Sequence, residues 1–533
     1  MKVEEATEVK DVGLPYVKDS RGIVIPVVPE YKLGEGESFV GFKDYKKSQE
    51  EQWKNAIEKE AYLKKVNEVF PHIKIDNYVD NVKEFYRKNP FFYDKAGIFW
   101  LWKSNEHRYE QKDDIDVMNM LDDILGLEGQ TVNAKLKSTY MEAFKRVGRK
   151  RIPRDAPDKW IQFKDKAYSL GSGKIYEVKP NYFFTNPIPY KLGTVSDTPV
   201  LDKLFKEWVG DKYIQTLYEI IAYCCFRSYP IQTLFCMCGS GCNGKTQFLK
   251  VLNKFLGHSN VCSTELDTLL DSRFEAFKLY KKMACSLGET NFGVLKKTSL
   301  LKKLVGGDMI GFEKKNKDPF DEYNYAKIII SSNSLPSSDD TSEGFYRRWL
   351  IIDFPNTFKE GIDIIETIPE QEYTNLGKKI SEILPGLLKK GTFTNQGDIK
   401  ERKEKYILAS NPLSIFIKRC CDVGDEEYIS YSKLYTAYVK FLITNKKRKV
   451  KMGEFKSALE TEGYWMERNS KKDDDGSWRS GNWVNGLNLK YNYVECVNLQ
   501  LVSTQSLHGG CKVESSTQNP HSAQKPIEIE EIE

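Results

Sequence analysis

The chain has 533 residues, of which 40% are hydrophobic and 13% aromatic, with 81 Lys and Arg against 76 Asp and Glu, a formal charge of +5. Such a composition excludes global disorder, and at about 150 residues per domain the length holds three or four domains. A surplus of five charges is too small to identify a nucleic-acid binder, so that reading has to rest on local clusters.

Residues 1–74 read as a charged lead-in followed by a helix: Trp53, Ile57 and Ala61, then Leu63, Val66 and Phe70, recur at spacings of three and four. The first ten residues lack the apolar core of a secretory signal, so a cytoplasmic location is expected. Residues 75–199 read as a small α+β domain. It opens on a hairpin formed by Phe91-Phe92-Tyr93 and residues 98–102, passes through a helical region at 114–149, and ends in strands near 160–163 and 175–178. Asp114-Ile115-Asp116 has the D-x-D spacing of a metal pair, but at the start of that helical region it reads as a cap.

Residues 200–370 alternate helices with short apolar strands, the pattern of a parallel α/β sheet. Their longest apolar stretch, 213–238, is broken by Glu219, Arg227 and Pro230 and is no membrane span, so no membrane partner is expected. A charged helical connector follows at 371–410, a third unit at 411–495, and a flexible, acidic-ended tail at 496–533. Eleven cysteines, several in apolar runs, read as reduced thiols. Cys236, Cys238, Cys242 and Cys262 with His258 are not assigned to zinc, because three of the four cysteines fall in a strand and loop that nucleotide binding requires.

The sharpest motif is Gly239-Ser240-Gly241-Cys242-Asn243-Gly244-Lys245-Thr246, a full match to G-x-x-x-x-G-K-[ST] between an apolar strand at 233–238 and a helix at 247–256. Glycines let backbone N–H groups turn inward around phosphates, Lys245 reaches the β- and γ-phosphates of ATP, and Thr246 holds Mg²⁺. A chance Gly-rich turn is the alternative. The apolar run 282–288 ends in Glu289, a carboxylate placed to polarise the attacking water, to sit near Mg²⁺, or both. The strand 326–332 ends in Asn333, whose amide would orient water beside the γ-phosphate. Arg347 and Arg348, before a strand at 350–354, are candidates for an arginine finger reaching the site of the next subunit, with a structural salt bridge as the alternative.

Taken in order, Walker A, a strand ending in Glu289, Gly306-Gly307-Asp308, a Lys-rich segment, a strand ending in Ser332-Asn333, and Tyr346-Arg347-Arg348-Trp349 resemble the superfamily 3 helicases. In particular they resemble the helicase half of phage and plasmid primase-helicases and of the poxvirus NTPase-primase, over about residues 75–495. The resemblance implies an AAA+-like P-loop ATPase that assembles as a ring, usually a homo-hexamer, and moves along one strand of single-stranded or forked DNA. It implies ATP and Mg²⁺ as cofactors and Glu289 and Asn333 as Walker B acid and sensor. It also implies a prokaryotic host cell or a viral replication site as the setting, and room for a separate primase or polymerase. Asn291 stands where a second acid is absent.

Residues 311–319 read as an exposed hairpin carrying Phe312, Lys314, Lys315 and Lys317; in the resembled family this position projects into the ring channel, where lysines track phosphates and Phe312 meets a sugar or base. The alternative is a solvated charged loop. Residues 411–490 read as three helices and a two-stranded wing, with Lys446, Lys447, Arg448 and Lys449 leading into the recognition helix as phosphate contacts. A protein-remodelling AAA+ ATPase is the second functional reading and a small-molecule P-loop kinase the third.

Overall fold

The computed structural model of the chain describes residues 16–18, 24–26, 78–126, 134–239, 241–288, 294–295, 297–358, 364–473 and 475–494. The expected helix at 49–70 and the tail at 496–533 lie outside the described residues. Of the lead-in, only an antiparallel pair, Tyr16–Lys18 with Val24–Pro26, is described.

The helix Tyr78–Lys88 precedes the expected hairpin, Phe91–Tyr93 with Phe99–Lys103, to which a third antiparallel strand, Arg108–Lys112, is added. That strand escaped the sequence reading because Tyr109 is its sole large apolar residue, so no alternation marks it. The helical region divides into Asp114–Gly126 and Ala134–Gly148. At its start the Asp113 and Asp116 side chains each accept from the other's backbone N–H, at 2.8 and 3.1 Å, which starts a helix. A second antiparallel sheet, Trp160–Gln162, Lys166–Ser169 and Ile175–Glu177, follows. Ile161, Phe163 and Ile188 are buried in the main core of the next unit, so the two units share packing.

The central sheet has five parallel strands: β1 (Leu234–Cys238), β2 (Val261–Thr264), β3 (Ala284–Leu287), β4 (Lys327–Ser332) and β5 (Trp349–Asp353), in the order β2-β3-β4-β1-β5. All five residues of β1 are buried, as a strand covered on both faces requires. The weakly apolar edge strand β2, with its Ser and Thr, gave no signal in the sequence. The helix Lys245–Leu256 buries Phe248, Val251, Leu252, Phe255 and Leu256 at spacings of one, three and four and stops at Gly257, whose φ of 89° few other residues adopt.

Residues 371–410 are not a free connector. They form helices Glu370–Lys390 and Ile399–Ser410, and the first buries Tyr373, Leu376, Ile380 and Leu384 at 0% exposure in the same core as the sheet. At about 1.5–3 kcal/mol per buried side chain, these four weld it to the unit of the central sheet. Lys327, at the start of β4, is also fully buried; its ammonium donates to the carbonyls of Phe226, Ser228 and Tyr325 at 2.6, 2.9 and 2.8 Å.

The third unit has its own core around Phe416, Leu434, Phe441, Phe455, Val484 and Leu487. Its helices are Pro412–Cys420, Tyr431–Thr444 and Met452–Thr461, beside a three-stranded antiparallel sheet in the order Cys421–Ser430, Trp478–Leu489, Met466–Lys472. The strand Cys421–Ser430, rich in Asp and Glu, was unexpected from its sequence.

Candidate nucleotide and nucleic-acid sites

At the carboxyl ends of the sheet strands lies a cavity of 740 Å³. Ser263 follows from β2, Ser286 and Leu287 from β3, and Ser331 from β4; the loop after β1 supplies residues 241–244, and Lys245 and Thr246 open the helix. Ligands of open α/β sheets bind in this position, and the helix N-terminus turned to it favours an anion.

Two of the loop glycines have no room for a side chain. A Cβ on Gly239 would lie 1.7 Å from Asn243 Nδ2 and 2.6 Å from the Phe354 carbonyl; a Cβ on Gly244 would lie 2.6 Å from the Trp208 ring. Gly241, Cys242 and Gly244 have φ of 102°, 44° and 93°. Asn243, 3% exposed, donates from Nδ2 to the Phe354 carbonyl at 3.1 Å, and Phe354 and Phe358 N–H donate to the Cys238 and Cys242 carbonyls at 2.7 Å. The segment after β5 thus clasps the loop, a contact between distant segments with no local sequence signal.

Lys245, 6% exposed, donates from Nζ to the Gly239 carbonyl at 2.7 Å and to Asn333 Oδ1 at 2.9 Å. The fold therefore brings the loop lysine and the β4 amide together, 88 residues apart in sequence. Thr246 is exposed to the same cavity. Ser240 and Glu289 lie outside the described residues; the last described residue after β3, Gly288, lines the cavity. Trp208, Leu249, Phe358 and Ile364 add an apolar wall that the sequence reading did not identify.

Arg347 and Arg348 sit at the other end of the sheet. Arg348 O accepts from Leu234 N at the start of β1, roughly 13 Å along that strand from its cavity end. Their guanidiniums reach Gln232 Oε1 at 2.9 and 3.4 Å, Arg348 also donates to the Gly344 carbonyl, and Arg402 donates to the Arg347 carbonyl. Burial, then the Arg347 charge, lowers the Arg348 pKa from its ordinary value. Neither arginine forms an ion pair among the described residues, and neither faces the cavity of its own chain.

The expected hairpin is present: Met309–Phe312 pairs antiparallel with Phe320–Tyr323, and Lys315 and Lys317 are exposed on the turn. Lys314 is half-buried, with Nζ 5.8 Å from the Phe277 ring, and Lys317 pairs with Asp114 at 3.4 Å. Phe312 corrects the expectation that it meets a sugar or base. It is 1% exposed, packed 5.3 Å from Tyr280 and 5.8 Å from Phe320, because it pairs with Phe320 on the face turned to the core. In the basic run, Lys446 and Lys449 are exposed and Arg448 pairs with Glu454 at 3.2 Å. Lys447 is turned inward, half-buried, with Nζ 3.8 Å from Asp353 at the end of β5, so it joins the third unit to the unit of the central sheet instead of facing solvent.

No helix of the described residues is long and apolar enough to cross a membrane. A model of a family of unknown function, DUF5906, matches residues 237–348. No curated protein matches the chain. Among solved structures, the chain is similar to the A-form apo structure of the NrS-1 C-terminal region at 16% identity and a TM-score of 0.42, covering 73% of this chain and 88% of that one. It is also similar to a further apo structure of the NrS-1 C-terminal region at 14% identity and a TM-score of 0.42, covering 78% of this chain and 100% of that one.

Proposed function

We propose that the chain is an ATP-dependent replicative DNA helicase of viral, phage or plasmid type, a ring-forming ATPase that moves along single-stranded DNA. The observation that carries the reading is the junction of Lys245 with Asn333 over a cavity whose loop excludes any Cβ at Gly239 and Gly244. Backbone N–H groups of such a loop and the following helix N-terminus are donors for phosphate oxygens, and a lysine held by neutral acceptors can exchange them for anionic ones. ATP and Mg²⁺ fit this donor set: Lys245 would hold the β- and γ-phosphates, and Thr246, with Glu289, the metal. Bound Mg²⁺ supplies neutralisation of phosphate charge. Asn333, released by Lys245, would orient the attacking water.

Arginines that form no ion pair among the described residues, at the opposite end of the sheet, support action in trans, on the cavity of a neighbouring copy. The exposed Lys315 and Lys317 support a polyanionic strand as the translocated substrate; the buried Phe312 leaves the hairpin turn without the aromatic that would grip a polypeptide, which disfavours protein remodelling. Three helices with a three-stranded sheet support a winged-helix reading of residues 411–495, with Lys446 and Lys449 available for phosphates.

The test is steady-state ATP turnover by the full chain with and without oligo(dT), beside a strand-separation assay. Turnover that rises with single-stranded DNA and unwinding that needs ATP are expected. ATP hydrolysis indifferent to DNA, with no strand separation, would refute the helicase and leave a protein-directed ATPase.

A further inference from the structure

Residues 145–154 contain six basic residues, Lys145, Arg146, Arg149, Lys150, Arg151 and Arg154, and no acid. In a chain whose whole surplus is five charges, this is a local concentration. Lys145 pairs with Glu142 at 3.2 Å. The other five are exposed, and none forms an ion pair among the described residues. Basic residues in the last turn of Ala134–Gly148 also offset its dipole, which accounts for Lys145 and Arg146 but not for the four cations beyond the helix end.

The fold sets this segment beside the hairpin. Gly148 approaches the strand Phe91–Tyr93 so closely that a Cβ there would lie 2.8 Å from Tyr93 N. Arg149 consequently stands over the Tyr93 ring at 5.8 Å, and Arg151 over Tyr86 at 4.7 Å, so the two guanidiniums are steered by aromatic faces without being neutralised. Arg149 and Lys95 line a groove of 540 Å³ whose opposite wall is Lys317, Asp318 and Pro319 of the hairpin turn. Of the acids there, Asp94 accepts from Ile98 N–H at 2.9 Å and the Trp100 indole at 2.8 Å, and burial raises its pKa from the ordinary value. Asp318 faces the groove, and Asp114 pairs with Lys317.

We propose that Lys95, Arg149, Lys150 and Arg151 form a second phosphate-tracking surface for single-stranded DNA, continuous with the hairpin lysines. It lies on the domain that precedes the motor. The proposal rests on the single-stranded DNA reading above. The ligand class follows from the chemistry: unpaired cations at the groove, Lys95 and Arg149, and on the exposed segment beside it, Lys150 and Arg151, suit a flexible polyanionic backbone, and the tyrosine faces are already covered by arginine, so contacts are to phosphates and tolerate sequence.

The experiment is fluorescence anisotropy of a labelled oligo(dT) with the full chain over a salt series, for the native protein and for Arg149→Ala/Lys150→Ala/Arg151→Ala. Three lost single-strand phosphate contacts make the slope of log affinity against log salt shallower by about 2, at about 0.7 per contact. DNA-independent ATP turnover stays native, because none of the three lines the nucleotide cavity; the melting temperature of the triple variant falls slightly with the loss of the Arg149–Tyr93 and Arg151–Tyr86 contacts, whereas that of Lys150→Glu stays native. Lys150→Glu, a single exposed change, should weaken binding in the same direction. Native binding with an unchanged slope and affinity in both variants overturns the proposal while leaving the helicase reading standing. A native protein that does not bind oligo(dT) even at low salt removes both.

Discussion

Replacing glycines of the phosphate loop one at a time separates backbone strain from collision. Gly244→Ala places a residue with a Cβ at φ 93° and drives that Cβ to 2.6 and 2.7 Å from Cδ1 and Cγ of Trp208, a large ring that is 1% exposed. An unfavourable backbone region costs about 1–3 kcal/mol, and overfilling a packed site about 1–3 kcal/mol more. The sum is about 2–6 kcal/mol; relieved by opening the loop, it weakens nucleotide binding at least about 30-fold, at about 1.4 kcal/mol per tenfold. Gly241→Ala shares the positive φ, at 102°, but its Cβ meets nothing within 4 Å, so strain alone acts and the loss should be about five- to 140-fold, below that of Gly244→Ala. Gly239→Ala expels Asn243 from the Phe354 carbonyl and should resemble Gly244→Ala. Titration of a fluorescent ATP analogue, with melting in its absence, reads both effects. Gly244→Ala binding within threefold of native, or Gly241→Ala weaker than Gly244→Ala, would refute the cradle.

Lys245→Ala should abolish ATP turnover with little change in melting temperature, since its partners are loop carbonyl and amide rather than core; near-native turnover would sink the phosphate assignment. Arg347→Ala or Arg348→Ala should lower turnover by up to about 10³-fold; mixing either with Lys245→Ala protein should restore part of it if subunits exchange, and no rescue in exchanged rings would mean an intrasubunit role. Burial takes the Lys327 ammonium down to about 7, whereas the unfolded chain binds that proton up to about 10.4, so native stability rises with pH between those values. Denaturant melts at pH 7, 8 and 9 should show the native protein gaining on Lys327→Met by up to about 1.4 kcal/mol per unit. A difference that stays flat would mean that the three carbonyls keep Lys327 charged.

Much of the central-sheet unit was readable in the sequence. The loop 239–246 carries its glycine, lysine and threonine spacing, and β1, β3, β4, β5 and the helix after the loop carry a mainly apolar run or a 3.6-residue stripe. Such patterns report burial in a parallel sheet directly. The hairpin at 309–323 and the three helices of the third unit were equally plain. Of the strands that escaped, Arg108–Lys112, β2 and Cys421–Ser430 are edge strands, and Lys166–Ser169, central in its sheet, is only four residues long with Lys and Ser at its ends. Their ladders are held by backbone bonds, which leave no mark on side-chain pattern.

Local order in the chain was enough to name the residue types at the candidate site, because the chemistry of phosphate binding demands glycines, a lysine and a hydroxyl at set spacing. Which side chains meet was decided only by tertiary packing. Lys245 joins Asn333 across two strands, and Asn243 is clasped by the Phe354 carbonyl from the segment after β5. Phe312 and Lys447 look alike in sequence to their exposed neighbours, yet the first turns to the core and the second to Asp353. A strand places successive residues on opposite faces, and a charged run acquires direction only from the surface against which it folds, so neither orientation is encoded in spacing alone.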